Sequence, residues 1–323
     1  MHRGRLVLLA LSCLLATATA ARALQAPGRT QVRSAPITAI ALTHASIAFA
    51  VGATKADCDH VELWNPDTHG TYRFGRKKPC GDLPLLYGIG PIGVASSRVV
   101  WVSFAGGNLT DWQLWTATTT RKTPRRLAFV ERDTMDAPAI VVGDGISNAI
   151  PYAVQTEITL LGDNGAAVFR THASSEVRQI TAGEGPYGWR VAALLARGEV
   201  SVFDGRGSVA TTYPFPPGAV RWLRLAPAGL VVQVPGAKVE IHRGTATRTV
   251  QLKQNAIVLD YAEGRILYRV GQTFWLRQVS TGVDTVLLHG SRRHAITAVL
   301  DTHGLAWSQG SSVRWVCAVC LSP

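Results

Sequence analysis

The chain has 323 residues, of which 47% are hydrophobic and 17% are charged, with 33 Lys and Arg against 21 Asp and Glu. A chain of this length and apolar content can bury a large core, so the composition excludes an intrinsically disordered protein. The formal net charge of +12 favours contact with anionic partners, although it carries no information about the fold.

The first 23 residues have the three parts of a secretory signal peptide. Arg3 and Arg5 supply the positive start, residues 6–15 are apolar, and small residues offer cleavage after Ala20 or Ala23. We therefore expect residues 1–23 to be removed. An uncleaved membrane anchor is the alternative.

Residues 24–323 are expected to form a single exported domain, either secreted or held in the cell envelope. No segment after the signal reaches the length of about 18 apolar residues that a membrane helix needs. We therefore expect no transmembrane helix after cleavage, and we expect a monomer.

Four cysteines remain in the exported part: Cys58, Cys80, Cys317 and Cys320. An even number of cysteines in an oxidising compartment favours disulfides. We expect Cys58 to pair with Cys80 and Cys317 with Cys320. A crossed pairing, which would tie the first structural unit to the last, stays open.

The exported part is rich in runs that alternate apolar and polar residues and that end in Gly, Asp, Asn or Thr, which is typical of β-hairpins. One such run recurs seven times, with copies that begin at residues 61, 112, 158, 200, 239, 274 and 313. The copies start about 42 residues apart on average. Repeats of about 40 to 45 residues with four strands each indicate a β-propeller.

A second hairpin precedes each copy and supplies the two remaining strands of the unit. These hairpins cover residues 37–51, 92–104, 139–154, 222–234, 257–270 and 296–307, and the less regular fourth one covers 177–180 and 189–195. The sequence therefore predicts an all-β, seven-bladed propeller of four-stranded antiparallel blades.

The seventh unit ends too soon after its third strand to contain a fourth. A missing strand would leave an exposed sheet edge, which invites aggregation. The segment Thr30-Gln31-Val32-Arg33 lies between the signal and the first inner strand. We expect it to complete the last blade and to close the ring.

These repeats resemble the secreted bacterial seven-bladed propellers of the TolB-like and WD-repeat-like kind, over residues 30–323. The turns Asp67-Thr68-His69-Gly70 and Ser280-Thr281-Gly282 look like their outer hairpins, but the Trp-Asp and Gly-His pairs of WD repeats are missing. The resemblance therefore implies the fold and transfers no functional residue, because propellers serve as enzymes, binders and docking platforms.

Two short motifs have ordinary structural interpretations. Residues 88–93 match the Gly-x-Gly-x-x-Gly pattern of dinucleotide sites, but no helix follows, and we expect a linker between units one and two. Residues 57–60 place two carboxylates and an imidazole together, and we expect a turn beside a disulfide rather than a metal site. No nucleophile elbow, zinc helix or phosphate loop occurs. We predict neither a cofactor nor a metal.

Basic residues form three clusters. The first contains Arg73, Arg76, Lys77 and Lys78, the second contains Arg121, Lys122, Arg125 and Arg126, and the third is Arg292-Arg293-His294. If the first two project from adjacent blades, they could form one face for an anionic cell-envelope polymer. A merely solubilising surface is the alternative. Nucleic acid is an unlikely partner, because no aromatic stacking platform lies among these residues.

The leading hypothesis is an exported propeller scaffold that binds a protein or an anionic cell-envelope ligand through loops on one face, without catalysis. A hydrolase or lyase with acid, base or metal groups at the central channel is the alternative. Convergence of carboxylates and histidines at the channel would favour that alternative. The tryptophans, among them Trp64, Trp101 and Trp315, are expected to pack between the sheets.

Overall fold

The computed structural model describes residues 28–321 except residues 45, 82–85, 108, 134–137, 186–187, 228 and 291–295. This part of the chain forms seven four-stranded antiparallel sheets and one short 3₁₀ helix. The predicted all-β, seven-bladed propeller is confirmed. The signal peptide 1–23 and the cluster Arg292-Arg293-His294 lie outside the described residues.

The strands follow the chain from the inner to the outer edge of each blade, after a short first strand, β1 (Arg29–Val32). Blade 1 has β2 (Ile37–Thr43), β3 (Ser46–Val51), β4 (His60–Trp64) and β5 (Thr71–Phe74). Blade 2 has β6 (Leu86–Ala95), β7 (Arg98–Gly106), β8 (Thr110–Thr118) and β9 (Arg125–Arg132). Blade 3 has β10 (Ile140–Val142), β11 (Ala149–Val154), β12 (Glu157–Gly162) and β13 (Ala167–His172).

The remaining blades repeat this order. Blade 4 has β14 (Val177–Gly185), β15 (Gly188–Leu195), β16 (Val200–Phe203) and β17 (Val209–Tyr213). Blade 5 has β18 (Trp222–Ala226), β19 (Gly229–Val234), β20 (Lys238–Arg243) and β21 (Ala246–Gln251). Blade 6 has β22 (Ile257–Ala262), β23 (Arg265–Val270), β24 (Thr273–Gln278) and β25 (Asp284–His289). Blade 7 has β26 (Ile296–Leu300), β27 (Gly304–Gln309) and β28 (Ser312–Cys317), and the helix η1 (Ala318–Leu321) follows.

The core consists of seven hydrophobic clusters, each packed between two neighbouring blades. Alternation along the strands builds these clusters, because successive side chains point to opposite faces of a sheet. In β7, for example, Trp101 packs toward blade 1, whereas Val100 and Val102 pack toward blade 3. Trp64 is fully buried between blades 7 and 1. The prediction that the tryptophans pack between the sheets is confirmed.

The N-terminal strand closes the ring, as predicted. β1 pairs antiparallel with β28 and becomes the outer strand of blade 7, with Arg29 opposite Trp315. Just after β1, the Arg33 guanidinium donates two hydrogen bonds of 2.8 and 2.6 Å to Glu62 Oε2 on blade 1. Burial of Glu62 opposes its ionisation, but the hydrogen bonds from His60 and Arg33 outweigh burial and lower the pKa of this carboxyl.

The two ends of the ring differ in the connections that they carry. The turns between the first and second strands and between the third and fourth strands of each blade lie at one end, which we call the hairpin face. The turns between the second and third strands and the links between blades lie at the opposite end, the crossover face. Any surface on the hairpin face therefore draws residues from many separate parts of the chain.

The glycine-rich residues 88–93 lie within β6, the inner strand of blade 2, so their prediction as a linker is wrong. Pro91 fits this strand because the pairing of β6 with β7 is interrupted by a bulge between Ile89 and Ile92. A Cβ atom on Gly93 would lie 2.6 Å from the Gly143 carbonyl oxygen of blade 3. The glycine therefore allows two inner strands to approach closely.

Both expected disulfides are present, Cys58–Cys80 and Cys317–Cys320. The first ties the segment after β5 to the connection between β3 and β4, on the crossover side of blade 1. The second lies at η1, on the hairpin face of blade 7. Nothing helical in the described ranges has the length and apolarity that a bilayer crossing requires.

Candidate functional site

A cavity of about 940 Å³ opens on the hairpin face, and we call it the channel cavity. It begins at the mouth of the central channel, where the ends of inner strands from blades 1, 3, 4, 5, 6 and 7 meet, and extends over blades 5 and 6. Its floor is largely apolar and includes Leu42, Ile146, Leu225, Ile241, Tyr261 and Val279. Its charged rim includes Glu184, Arg243, Arg248 and Glu263. The volume lies in the range typical of ligand sites.

An ion-pair cluster on Arg224 crosses the channel at the base of this cavity. Arg224 belongs to the inner strand of blade 5, and its Nη1 donates to Asp144 Oδ2 of blade 3. The same nitrogen lies 3.7 Å from Asp260 Oδ1 of blade 6. One cation therefore joins three blades across the channel.

Asp260 is held in place by the backbone of two blades. Its oxygens accept hydrogen bonds from the Tyr261 amide at 2.8 Å and from the Leu300 amide of blade 7 at 2.7 Å. Burial raises the pKa of Asp260 to about 7, although the Arg224 guanidinium acts in the opposite direction. With both oxygens engaged and only 3% of its side chain exposed, Asp260 is poorly placed to reach a substrate.

A second carboxylate, Asp301, lies at the mouth of the channel with His44 and His303 nearby. Asp301 Oδ1 accepts hydrogen bonds from the amides of His303 and Gly304, both at 2.8 Å. Burial raises the pKa of Asp301, opposed by these amides and by the two histidines. The rings of His44 and His303 lie 4.6 Å apart across the seam between blades 1 and 7.

Carboxylates and histidines do converge at the channel, the feature that the sequence analysis named as a sign of catalysis. The backbone and Arg224 occupy the oxygens of Asp260. In Asp301 only Oδ1 accepts hydrogen bonds, and the buried Oδ2 has no hydrogen-bond partner among the described residues. No group of three His, Cys, Asp or Glu side chains within the described ranges is arranged to hold a metal ion. The cavity therefore combines an apolar floor with a channel carboxylate, Asp301, of which one oxygen makes no hydrogen bond to the described residues.

The residues 57–60 lie on the crossover side of blade 1 in a network of charged groups. The Arg73 guanidinium donates to both oxygens of Asp57 at 2.6 and 2.7 Å, and this hydrogen-bonded pairing lowers the pKa of Asp57. His60 Nε2 lies 3.2 Å from Glu62 Oε1. Asp57, His60, Glu62 and Arg73 are therefore engaged with one another beside the Cys58–Cys80 disulfide.

The predicted basic residues occupy the outer edges of blades 1 and 2. Seven of the eight residues in the first two clusters are exposed and form no ion pair with a carboxylate in the described part of the chain: Arg76, Lys77, Lys78, Arg121, Lys122, Arg125 and Arg126. The eighth, Arg73, is half-buried and pairs with Asp57. The Gly75 amide donates to the Lys122 carbonyl at 3.0 Å, so the two clusters meet at the seam between the blades.

From this meeting point the two clusters diverge. Lys78 lies toward the crossover face, where its carbonyl accepts a hydrogen bond from the Cys58 amide. Arg121 and Lys122 form part of the turn between β8 and β9 on the hairpin face. Burial lowers the pKa of Arg98 in blade 2, and the positive charges of Arg125 and Arg121 add to this effect. Four exposed basic side chains therefore lie at the edge of blade 2: Arg121, Lys122, Arg125 and Arg126.

A second pocket of about 460 Å³, the hydroxyl pocket, lies on the hairpin face between blades 1 and 2. Eight of its eleven lining side chains carry a hydroxyl group, and none is a carboxylate: Thr43, Ser46, Thr68, Tyr72, Ser96, Ser97, Thr119 and Ser147, with His44, Leu63 and Asn65. Lys122 is not a lining residue, but its ammonium lies 5.4 Å from the centre of the Tyr72 ring, which lines the pocket. Thr43, His44 and Ser147 also line the channel cavity, so the two sites adjoin.

Two solved structures resemble this chain over 90% of its length. The Raptor protein of Chaetomium thermophilum superposes with a TM-score of 0.56 at 12% identity, and the match covers 29% of Raptor. The Cps50 (Swd1) β-propeller domain of Myceliophthora thermophila superposes with a TM-score of 0.55 at 14% identity, and 99% of that domain is covered. The chain shares the fold of these propellers. No protein-family profile and no curated protein sequence matches it.

The propeller's two hairpin-face sites were not predicted from the sequence. Arg224, Asp144 and Asp260 are separated by up to 116 positions, and nothing in their local context distinguishes them from other strand-end residues. The serines and threonines of the hydroxyl pocket look like ordinary turn residues. A comparison of the seven first turns could have flagged them, because those turns come together around the channel.

Proposed function

We propose that this propeller is exported and binds a protein partner through its hairpin face, with the channel cavity as the main site. The observation that supports this proposal most strongly is the cavity itself. An apolar floor inside a charged rim is the arrangement found in protein interfaces, where a buried apolar anchor supplies most of the affinity. The rim carries both signs of charge, which suits a polypeptide segment with mixed side chains.

Substitution of Ala246 tests the site. Ala246 is exposed, is the first residue of β21 and lines the channel cavity, so Ala246→Trp should fill the groove. A displayed library of random 12-residue peptides is selected on residues 24–323. We expect the selected peptides to contain apolar anchors and to bind Ala246→Trp at least about tenfold more weakly, the loss of one anchor contact.

Ala167→Trp is the matched control. Ala167 is also the exposed first residue of an outer strand, β13, but it lines neither hairpin-face site. Selected peptides should bind this variant as they bind the unmodified chain. Peptides that bind Ala246→Trp at full strength, or a library that yields no binder, would contradict the proposed site.

Export rests on the signal pattern of residues 1–23 and is supported by the two disulfides, which persist in oxidising compartments. We expect the protein recovered outside the cytoplasm to begin at Ala21 or Leu24, which N-terminal sequencing measures. Recovery of membrane-bound protein that still begins at Met1 would instead support the anchor.

A further inference from the structure

We propose that the hydroxyl pocket binds an acidic saccharide, with Lys122 as the residue that selects the negative charge. This inference rests on the proposed function, ligand binding by the hairpin face, and it names the ligand class for a second site on that face.

The first argument is the chemistry of the pocket wall. A hydroxyl group both donates and accepts hydrogen bonds, so a wall of hydroxyls matches the hydroxyls of a sugar. The hydroxyls of Ser46, Ser97 and Thr119 make no hydrogen bond to another residue within the described ranges. They remain available to a ligand in a concave site whose volume is typical for small molecules.

The second argument is the amide and the aromatic ring beside these hydroxyls. Asn65 Oδ1 accepts hydrogen bonds from the amides of Asp67 and Thr68, at 2.9 and 3.0 Å, which fixes the side-chain orientation. Tyr72 contributes a flat ring with a polar tip to the same wall. Such a wall offers an apolar surface for one face of a sugar ring and hydrogen-bonding groups for the hydroxyls at its edge.

The third argument is charge. Lys122 lies at the rim over Tyr72, and the turn that carries it is fixed by two hydrogen bonds, from Gly75 N to Lys122 O and from Arg121 N to Thr118 Oγ1, both 3.0 Å. The carboxylate in the 65–70 turn, Asp67, is paired with Arg29. An ammonium over the Tyr72 ring, beside a pocket without lining carboxylates, favours a sugar that carries a carboxylate.

The test uses two matched probes, β-1,4-linked trimannuronate and the neutral β-1,4-linked mannotriose, titrated into residues 24–323 by calorimetry. We expect trimannuronate to bind more tightly. Lys122→Gln should weaken the binding of trimannuronate about tenfold, which is the effect of losing one charge-assisted hydrogen bond. The binding of mannotriose should be unchanged. Thr119→Trp, which fills the pocket, should abolish binding of both probes.

Lys253→Gln is the matched control, because Lys253 also lies over an aromatic ring, Trp275, but outside the hydroxyl pocket. Its affinity for trimannuronate should equal that of the unmodified chain. Thermal unfolding by near-UV circular dichroism confirms the fold of each variant, and Tyr72→Ala provides a second pocket variant that should also weaken both probes.

Four results would overturn the proposal: no binding of either probe to the folded chain, equal binding of both probes, full binding to folded Thr119→Trp and Tyr72→Ala, or complete competition by inorganic phosphate alone. Ala246→Trp separates this proposal from the peptide site. It should retain trimannuronate binding, so failure at one site is distinguishable from failure at the other.

Discussion

A chain that begins at Ser34 should unfold at a much lower urea concentration than one that begins at Leu24, and it should associate in solution. Without β1, the outer edge of β28 has no partner, and an unpaired edge pairs with other chains. Glu62 also loses the Arg33 guanidinium, and leaving one member of a largely buried ion pair alone costs about 3–5 kcal/mol. Tryptophan fluorescence in urea and light scattering measure the two effects.

A peptide of residues 28–34 added in trans is the control for this truncation. It contains the whole of β1 and Arg33, so it should raise the urea midpoint of the shortened chain and reduce its light scattering. The same peptide with Arg33 replaced by Met should raise the urea midpoint by a smaller amount. Equal urea midpoints for the two chains would show that β1 does not hold the ring closed.

The difference between the two chains should also depend on pH. The pKa of Glu62 is lowered in the folded protein, so its contribution to stability is present above the usual value of 4.5 and is lost as the pH falls through the folded value. The difference in stability between the longer and the shorter chain should therefore decrease as the pH is reduced from 7 toward 3.

The repeat could be predicted from the sequence because each third strand keeps its alternation and its following turn. Those seven runs became β4, β8, β12, β16, β20, β24 and β28. The closing role of residues 30–33 was also accessible, since it follows from counting strands in the last unit. The local pattern and the number of strands were enough to predict the seven-bladed ring and its closure.

The glycine run at 88–93 shows where local pattern misleads. Glycine and proline together indicate a turn when only neighbours in sequence are considered. Here Gly93 allows blade 3 to approach blade 2, and Pro91 occupies a bulge. Both reasons depend on contacts with residues nine or more positions away, which one sequence does not reveal.

The sites on the hairpin face were harder to predict for a related reason. The Thr43 hydroxyl lies within hydrogen-bonding distance of two carbonyl oxygens, 2.8 Å from that of Val94 and 3.2 Å from that of Gly145. Three blades therefore meet at one hydroxyl group. Each of these residues is unremarkable in its own segment. The basic clusters were visible in sequence because they are local, whereas their meeting at Gly75 and Lys122 required the packing of two blades.

Arg224→Met should be strongly destabilising, and its effect should grow with pH. The substitution leaves Asp260 buried without its cation, which costs about 3–5 kcal/mol when a buried pair is broken. The pKa of Asp260 is already raised to about 7 by burial, and loss of Arg224 should raise it further. Urea unfolding between pH 5 and pH 8 measures the stability of the variant against the unmodified chain.

The direction of the pH effect follows from the raised pKa of Asp260. A carboxyl group whose folded pKa exceeds its usual 3.8 stabilises the fold fully below that value, and the contribution is lost as the pH rises through the folded pKa. The stability of Arg224→Met should therefore be closest to that of the unmodified chain at pH 5 and furthest from it at pH 8.

Adding Asp260→Asn removes the unpaired buried charge, so the stability of the double variant should show little of this pH dependence. Arg221→Met, three residues earlier and exposed, should change stability by no more than about 0.5 kcal/mol. A pH-independent loss in Arg224→Met would show that packing of the long side chain, rather than its charge, holds the three blades together across the channel.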